Sequence, residues 1–235
     1  MKIAVNTRLL LRNKLEGIGW FTYETFRRIT QWQKNHEFIF IFDRKWDESF
    51  IFSDNITPVK AIPQARHPIL WYWWFEYSIP QILKAHQADM FISPDGYLSL
   101  KTPVPSVAVI HDINFWHLPK DLPWLTSHYY KHFFPKFARK AERIATVSHY
   151  SKDDLQKSFG LSAEKIDVVY NGANKGFNPL SESEKALIRK QFTNGSAFFL
   201  YIGSLHPRKN IERLLKAYEL FRNSCNSSLK LVIAG

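Results

Sequence analysis

The sequence predicts an α/β fold, with a mostly parallel sheet covered by helices on both faces. Short apolar runs alternate with longer segments of helical spacing along most of the 235 residues. The runs are apolar on both sides, as strands buried on two faces must be. Apolar residues make up 45% of the chain, inside the ordinary globular range of roughly 45–50%.

The elements follow in order. Lys2 to Asn6 reads as a short buried strand. Ile18 to Trp32 reads as a helix with Thr22, Phe26 and Ile29 facing inward. Glu37 to Asp43 is a strand dense in Phe and Ile, and Ile56 to Ile62 is a further strand. Trp71 to Gln87 has helical spacing, with a kink or break expected at Pro80. Asp89 to Ser93 and Ser106 to His111 are buried strands. Pro123 to Ala141 is mostly helical, with Pro135 a second expected irregularity. Arg143 to Ser148 and Lys165 to Asn171 are strands, separated by a helix from about Ser151 to Phe159.

A boundary follows. Residues 171–179 combine two Gly, three Asn and one Pro, which is linker chemistry. Ser181 to Phe192 reads as a short helix, with Ser181 as N-cap and Glu184 completing a capping box. A strand from Ala197, a helix from about Asn210 to Arg222 and a strand from Leu229 to Ala234 complete the chain. The expected domains are 1–172, a linker with its helix over 173–195, and a second domain over 196–235. One β-α-β unit cannot cover both faces of its own sheet. The second domain is therefore expected to be truncated; the alternative is that its strands extend the first sheet.

Composition excludes several classes. One cysteine, Cys225, can form neither an internal disulfide framework nor a Cys-based zinc site. The apolar run from Ile69 to Phe75 meets Glu76 well short of the ~20 residues of a membrane span. The N-terminus carries no signal-peptide pattern, so a cytoplasmic location is expected, with any membrane contact at the surface. Lys and Arg total 32 against 21 Asp and Glu, a net charge of +11. That excess suits nucleic acid, anionic lipid or a phosphorylated small molecule. No RNP-like or helix-turn-helix pattern supports nucleic acid. Between His128 and Arg143, Lys131, Lys136, Arg139, Lys140 and Arg143 interleave with aromatics. Tyr130, Phe133, Phe134, Phe137 and Ala141 share a helical face. Such a stripe ordinarily faces a core; the alternative is a basic amphipathic helix resting on lipid headgroups.

Three motifs stand where chemistry is expected. Gly17-Ile18-Gly19 opens a helix, where backbone N–H groups attract anions. It departs from the dinucleotide fingerprint, because Thr22 holds the sixth position. His111-Asp112 follows the run 107–110, at the carboxyl end of a strand where ligands of parallel sheets bind. An imidazole there can donate a hydrogen bond or shuttle a proton; alternatively His111 anchors the loop and Asp112 caps the turn. Gly203 through Asn210 joins a strand to a helix. Gly203 lets the backbone turn, and Arg208 and Lys209 bring two cations to the helix start, which a bound phosphate would balance.

Five segments in register resemble the family-4 retaining glycosyltransferases of the two-domain GT-B fold. They are Gly17 to Glu24, Val109 to Asp112, Ala145 to Leu155, Lys165 to Gly172, and Tyr201 to Leu205 with Arg208 to Asn210. The resemblance implies a Rossmann-like N-terminal domain for the acceptor and a Rossmann-like C-terminal domain for a nucleotide-diphosphate sugar. It implies that Gly17 and Gly19 approach the donor phosphates or the acceptor. It also implies that His111, with Asp112 beside it, contacts the transferred sugar. Gly203, Arg208 and Lys209 would hold the donor diphosphate without a metal or other cofactor, stabilising the leaving group. The transferred sugar is guessed as mannose and the acceptor as a glycan or lipid-linked saccharide. The family's acidic E-x7-E motif lies further along than Gly235, and Glu212 and Glu219 sit too early to be it. The 235 residues alone are therefore expected to be inactive. A non-catalytic α/β module binding a phosphorylated ligand or anionic membrane is the competing reading.

Overall fold

The structure, a computed structural model, describes residues 1–173 and 176–235; Asn174 and Lys175 of the expected linker lie outside the described residues. The chain divides into two compact units, Met1–Asn171 and Gly172–Gly235.

The first unit is a seven-stranded sheet of order β3-β2-β1-β4-β5-β6-β7, and every pairing is parallel. The strands are β1 (Lys2–Asn6), β2 (Glu37–Phe42), β3 (Ile56–Lys60), β4 (Met90–Ser93), β5 (Ser106–Val109), β6 (Arg143–Thr146) and β7 (Ile166–Val168). The helices are α1 (Gly17–Trp32), α2 (Pro68–Trp73), α3 (Ile79–Ala85), α4 (Asn114–His117), α5 (Trp124–Lys140) and α6 (His149–Phe159). The chain runs from β1 outward to β3, then returns to place β4 on the other side of β1. Strand order thus reverses between β1 and β4, and crevices at such points are where open parallel sheets take ligands.

The aromatic excess fills this sheet. Phe38, Phe40, Phe42, Trp74, Phe75, Phe91 and Phe137 are all buried. Phe26 on α1 meets Phe40 edge-on at 6.1 Å, and truncating a ring of this kind to alanine costs about 3–5 kcal/mol. Thr22 and Phe26 face inward as the spacing predicts, and Ile29 is partly buried against the same cluster.

Several local expectations are corrected or sharpened. The irregularity expected at Pro80 takes the form of a widened turn just ahead of it, and Pro80 sits in the first turn of α3. A five-residue π-turn over Trp74–Ser78 joins α2 to α3, and the Ile79 N–H reaches back to the Trp74 carbonyl. The wider turn carries the ladder past the ring that has no N–H to give. The helix also begins earlier than expected, at Pro68, under a His67 side-chain cap. Pro135 sits buried inside an uninterrupted α5. The strand expected over Lys165 to Asn171 shrinks to Ile166–Val168, because Ala163–Lys165 forms a single 3-10 turn. The short α4 and the 3-10 turns at Glu48–Phe50 and Pro119–Asp121 carry too few residues to show a period.

The aromatic stripe of α5 faces the core. Tyr129, Phe134, Phe137 and Ala138 are buried, and Tyr130 and Phe133 pack against them. Lys131, Lys136, Arg139 and Lys140 remain exposed. The lipid-resting alternative for this helix fails on its apolar side, since the rings it would insert are already used. No helix among the described residues is long and apolar enough to cross a membrane.

The second unit holds α7 (Glu182–Thr193), β8 (Phe198–Ile202), α8 (Ile211–Cys225) and β9 (Lys230–Ala234). Ser181 caps α7 and Glu184 completes the capping box, as the sequence predicts. Strands β8 and β9 pair parallel in a sheet of their own, so they do not extend the seven-stranded sheet.

Candidate functional site

The reversal between β1 and β4 gathers a buried polar network. Asn6 ends β1, and Arg8 follows two residues on. Ser93 ends β4, and Asp95 follows in the same way. Arg8 Nε donates to Asp95 Oδ2 at 2.6 Å, and Arg8 Nη1 donates to the Ala65 carbonyl at 3.1 Å. Asn6 Nδ2 donates to Asp95 Oδ1 at 2.9 Å and to Ser93 Oγ at 3.0 Å, and the Tyr97 N–H also donates to Asp95 Oδ1. The guanidinium lies over the Tyr97 ring, 4.5 Å from its centroid. Arg8 is 7% exposed and Asp95 8%. Burial works against the Arg8 charge, and the Asp95 carboxylate together with the Tyr97 and Tyr130 phenols outweighs it, holding the guanidinium protonated above its ordinary range.

Beside this network a cleft of about 410 Å³ opens at the strand ends. Arg8, Asp95, His111 and Asp112 line it, with Trp71, Tyr97, Phe115 and Tyr130 as aromatic walls. The Tyr97 hydroxyl donates to the Tyr130 hydroxyl at 2.9 Å, and burial pushes both phenols up in pKa. Ala65 is pinned from behind, because its N–H donates to buried Asp43 and its carbonyl also accepts from Trp71 Nε1 at 2.8 Å. The cleft therefore offers ring faces for an apolar surface and hydrogen-bonding groups for a polar edge, a combination suited to a sugar.

His111 is half-buried one residue past Ile110. Its Nε2 lies 2.9 Å from the Pro94 carbonyl. A carbonyl only accepts, so Nε2 carries the proton and Nδ1 of the neutral ring is an acceptor. The Phe21 ring meets the imidazole edge-on at 4.9 Å and fixes its plane. One nitrogen thus anchors the loop, and the ring still lines the cleft. Asp112 is exposed, and its Oδ1 accepts from the Asn114 N–H at 3.0 Å, so it caps the turn into α4.

The two early glycines separate in role. A Cβ on Gly19 would stand 2.9 Å from the Leu9 carbonyl oxygen, so this glycine lets α1 approach the preceding loop. A Cβ on Gly17 would meet nothing within 4 Å, and packing does not require a glycine there. Ile18 between them lines the His111 cleft.

In the second unit, Gly203 follows β8 with φ +156°, and a Cβ on it would come within 3.0 Å of Tyr201 Oη. Arg208 and Lys209 stand directly ahead of α8, in the strand-to-helix connection where the sequence places them. They form a separate 3-10 turn over Pro207–Lys209, capped by His206 Nδ1, which accepts from the Arg208 N–H. Asn210 then turns left-handed at φ 57°, and α8 starts at Ile211 with Glu212 in its first turn. The helix dipole is complemented by its own acid. Both cations are exposed, and neither has a carboxylate partner among the described residues.

Sequence reasoning missed Arg8, Asn6, Ser93 and Asp95. The signal was present: polar residues follow directly on two apolar strands, and only the strand order shows that these two ends adjoin.

A parallel sheet with a polar cleft at its reversal point, followed by a second parallel β-α-β unit, defines the α/β architecture of the GT-B glycosyltransferases. The model of Glycosyltransferase Family 4 matches residues 15–176, and the chain belongs to that family. It is 26% identical over 154 residues to O-antigen chain mannosyltransferase B of Escherichia coli, covering 65% of this chain and 40% of that protein. It is 27% identical over 176 residues to O-antigen chain mannosyltransferase RfbU of Salmonella typhimurium, covering 73% and 45%. The chain thus spans less than half the length of these two relatives. Among solved structures, Anabaena Alr3699/HepE in complex with UDP and glucose is similar in fold, with TM-score 0.65 and 17% identity over 99% of this chain and 60% of that one. WaaG, a glycosyltransferase involved in lipopolysaccharide biosynthesis, gives TM-score 0.66 at 14% identity over 98% and 62%.

Proposed function

We infer that the protein transfers a sugar, mannose in the favoured case, from a nucleotide-diphosphate donor to a glycan or lipid-linked acceptor with retention. The observation that carries this reading is the polar, aromatic-walled cleft at the β1/β4 reversal of a family-4 chain. The mannosyltransferase relatives support the choice of sugar. The UDP-bound relative supports a nucleotide-diphosphate donor.

In this reading the cleft of the first unit takes the acceptor, and rings such as Trp71 and Tyr130 pack against the saccharide face. His111 contacts the transferred sugar through Nδ1, which accepts from a hydroxyl, while Asp112 holds the loop. Gly17 leaves its backbone open to a donor phosphate or the acceptor. In the second unit Arg208 and Lys209 receive the diphosphate, and Gly203 lets the loop turn. The bond from the anomeric carbon to the diphosphate oxygen breaks. The acceptor oxygen bonds to the same face of that carbon, and its proton passes to the departing phosphate oxygen. The two cations stabilise the charge that develops there, with no metal required.

The 235 residues on their own are proposed to lack turnover. Among the described residues of the second unit only Thr193 is buried, so little wall surrounds a sugar nucleotide there. The test is transfer from labelled GDP-mannose and UDP-sugars to lipid-linked saccharides by a protein carrying this chain with the remainder of a family-4 C-terminal domain. Retained anomeric configuration in the product supports the reading. Binding of lipid or nucleotide with no transfer from any donor supports the non-catalytic module.

A further inference from the structure

The cleft contains a carboxylate with little capacity left for a ligand. Asp95 Oδ1 accepts from Asn6 Nδ2 at 2.9 Å, from Ser93 Oγ at 3.0 Å and from the Tyr97 N–H at 3.3 Å, and Oδ2 accepts from Arg8 Nε at 2.6 Å. An ionised carboxylate offers about four acceptor sites, so these four donors nearly fill it. Asn6, Arg8 and Ser93 are buried with it. A general base needs a free lone pair within reach of the proton it takes. Asp95 is engaged with its own surroundings instead.

Those surroundings hold a turn. Ser93 ends β4, and the Gly96 N–H reaches back to the Ser93 carbonyl at 3.4 Å, with Pro94 and Asp95 at the centre of the turn. The Pro94 ring fixes its own φ and has no N–H to pair. Its carbonyl is the group that His111 Nε2 meets at 2.9 Å. The pairing of β4 with β5, Ser93 opposite Ala108, sets the two strand ends side by side and makes this contact possible. The main chain of His111 is tied from another element. Its carbonyl accepts from Ser151 Oγ at 3.0 Å, and the Ser148 hydroxyl donates to Ser151 Oγ at 3.1 Å. The His111 backbone is thus held by α6, independently of Asp95. The imidazole direction depends on where the Pro94 carbonyl stands.

We propose that Asp95 is a positioning residue for His111: through the 93–96 turn it holds the Pro94 carbonyl against Nε2–H and keeps Nδ1 unprotonated as an acceptor. Arg8 braces Asp95 from behind, because its Nη1 is tied to the Ala65 carbonyl. If the turn shifts, the imidazole can rotate or carry its proton on Nδ1, and an Nδ1–H cannot accept from a sugar hydroxyl. The consequence for transfer rests on the reading above, in which His111 contacts the transferred sugar.

Two measurements test this. In the 235-residue chain the His111 Nε2–H proton is followed by nitrogen-edited NMR and assigned by its loss in His111→Ala. In the wild type it is expected to exchange slowly with water. Asp95→Asn keeps the side-chain shape without the charge. Arg8→Met with Asp95→Leu removes the whole ion pair and replaces it with apolar volume, which spares the fold. In both, proton exchange is expected to rise roughly tenfold, the order set by one weakened hydrogen bond. In the whole protein, Asp95→Asn is expected to lower kcat about 10–10²-fold with KM nearly unchanged. A merely structural role gives a different result: the double variant, once as heat-stable as the wild type, would regain both the protected proton and kcat. Circular dichroism checks folding, and Ser93→Ala, which deletes a single donor to Asp95, should move exchange the same way by less if the other variants unfold. A protected Nε2–H in a folded Asp95 variant overturns the proposal, and so does a kcat equal to wild type. If the wild type transfers no sugar, the functional reading fails, and proton exchange alone decides whether Asp95 holds His111.

Discussion

Replacing Asp95 by alanine tests whether the network under the cleft holds the first unit together. Asp95 accepts from Arg8 Nε at 2.6 Å, from Asn6 Nδ2 at 2.9 Å and from Ser93 Oγ at 3.0 Å, all buried. Asp95→Ala leaves the Arg8 guanidinium charged and without its counter-ion. Breaking a buried pair from one side costs about 3–5 kcal/mol. In a unit of this size each kcal/mol moves Tm by about 2–4 °C, so the shift is on the order of 10 °C. Thermal and urea unfolding followed by circular dichroism measure it. The double variant Arg8→Met, Asp95→Leu removes both charges and should recover most of the loss, as apolar replacement of a buried pair often does. A single-variant loss below about 1 kcal/mol would refute the view that this pair frames the cleft.

Other perturbations separate packing from chemistry. Gly19→Ala should destabilise by about 1–3 kcal/mol through its clash with the Leu9 carbonyl, whereas Gly17→Ala should change stability by less than about 0.5 kcal/mol. Activity lost in Gly17→Ala with Tm unchanged would show that a ligand needs the open backbone. Burial raises the Glu76 pKa, so the native state holds that proton more tightly than the unfolded chain. Stability should therefore fall as pH rises from about 4.3, the ordinary glutamate value, through the higher folded one. Glu76→Gln should flatten that part of a denaturation–pH profile, and an unchanged profile would contradict the assignment. Arg208→Ala and Lys209→Ala, at exposed positions, should remove most transfer activity in the whole protein and leave its Tm within error; near-normal kinetics would count against the diphosphate site.

The parallel sheet was legible because β2 and the run ending at Ile110 are apolar on both faces. The capping box at Ser181 and Glu184 was legible because it is local. What escaped depended on the third dimension. Pro80 marks an irregularity in sequence, and only the backbone shows that it is a π-turn. The α5 aromatics read first as core and alternatively as a lipid-resting face, and packing bore out the core reading. Arg8 and Asp95 are 87 residues apart and become partners through strand order alone. Arg208 and Lys209 stand out by pattern as candidates, but the left-handed Asn210 that separates their 3-10 turn from α8 leaves no periodic trace.

The role of His111 is the most direct measure of the whole account. The decisive measurement is sugar transfer by the whole protein and its His111→Ala variant, with Tm recorded on both. Loss of a group that contacts the reacting sugar predicts a fall in kcat of about 10²–10³-fold with the fold retained. Wild-type kcat in a folded His111→Ala protein would contradict it.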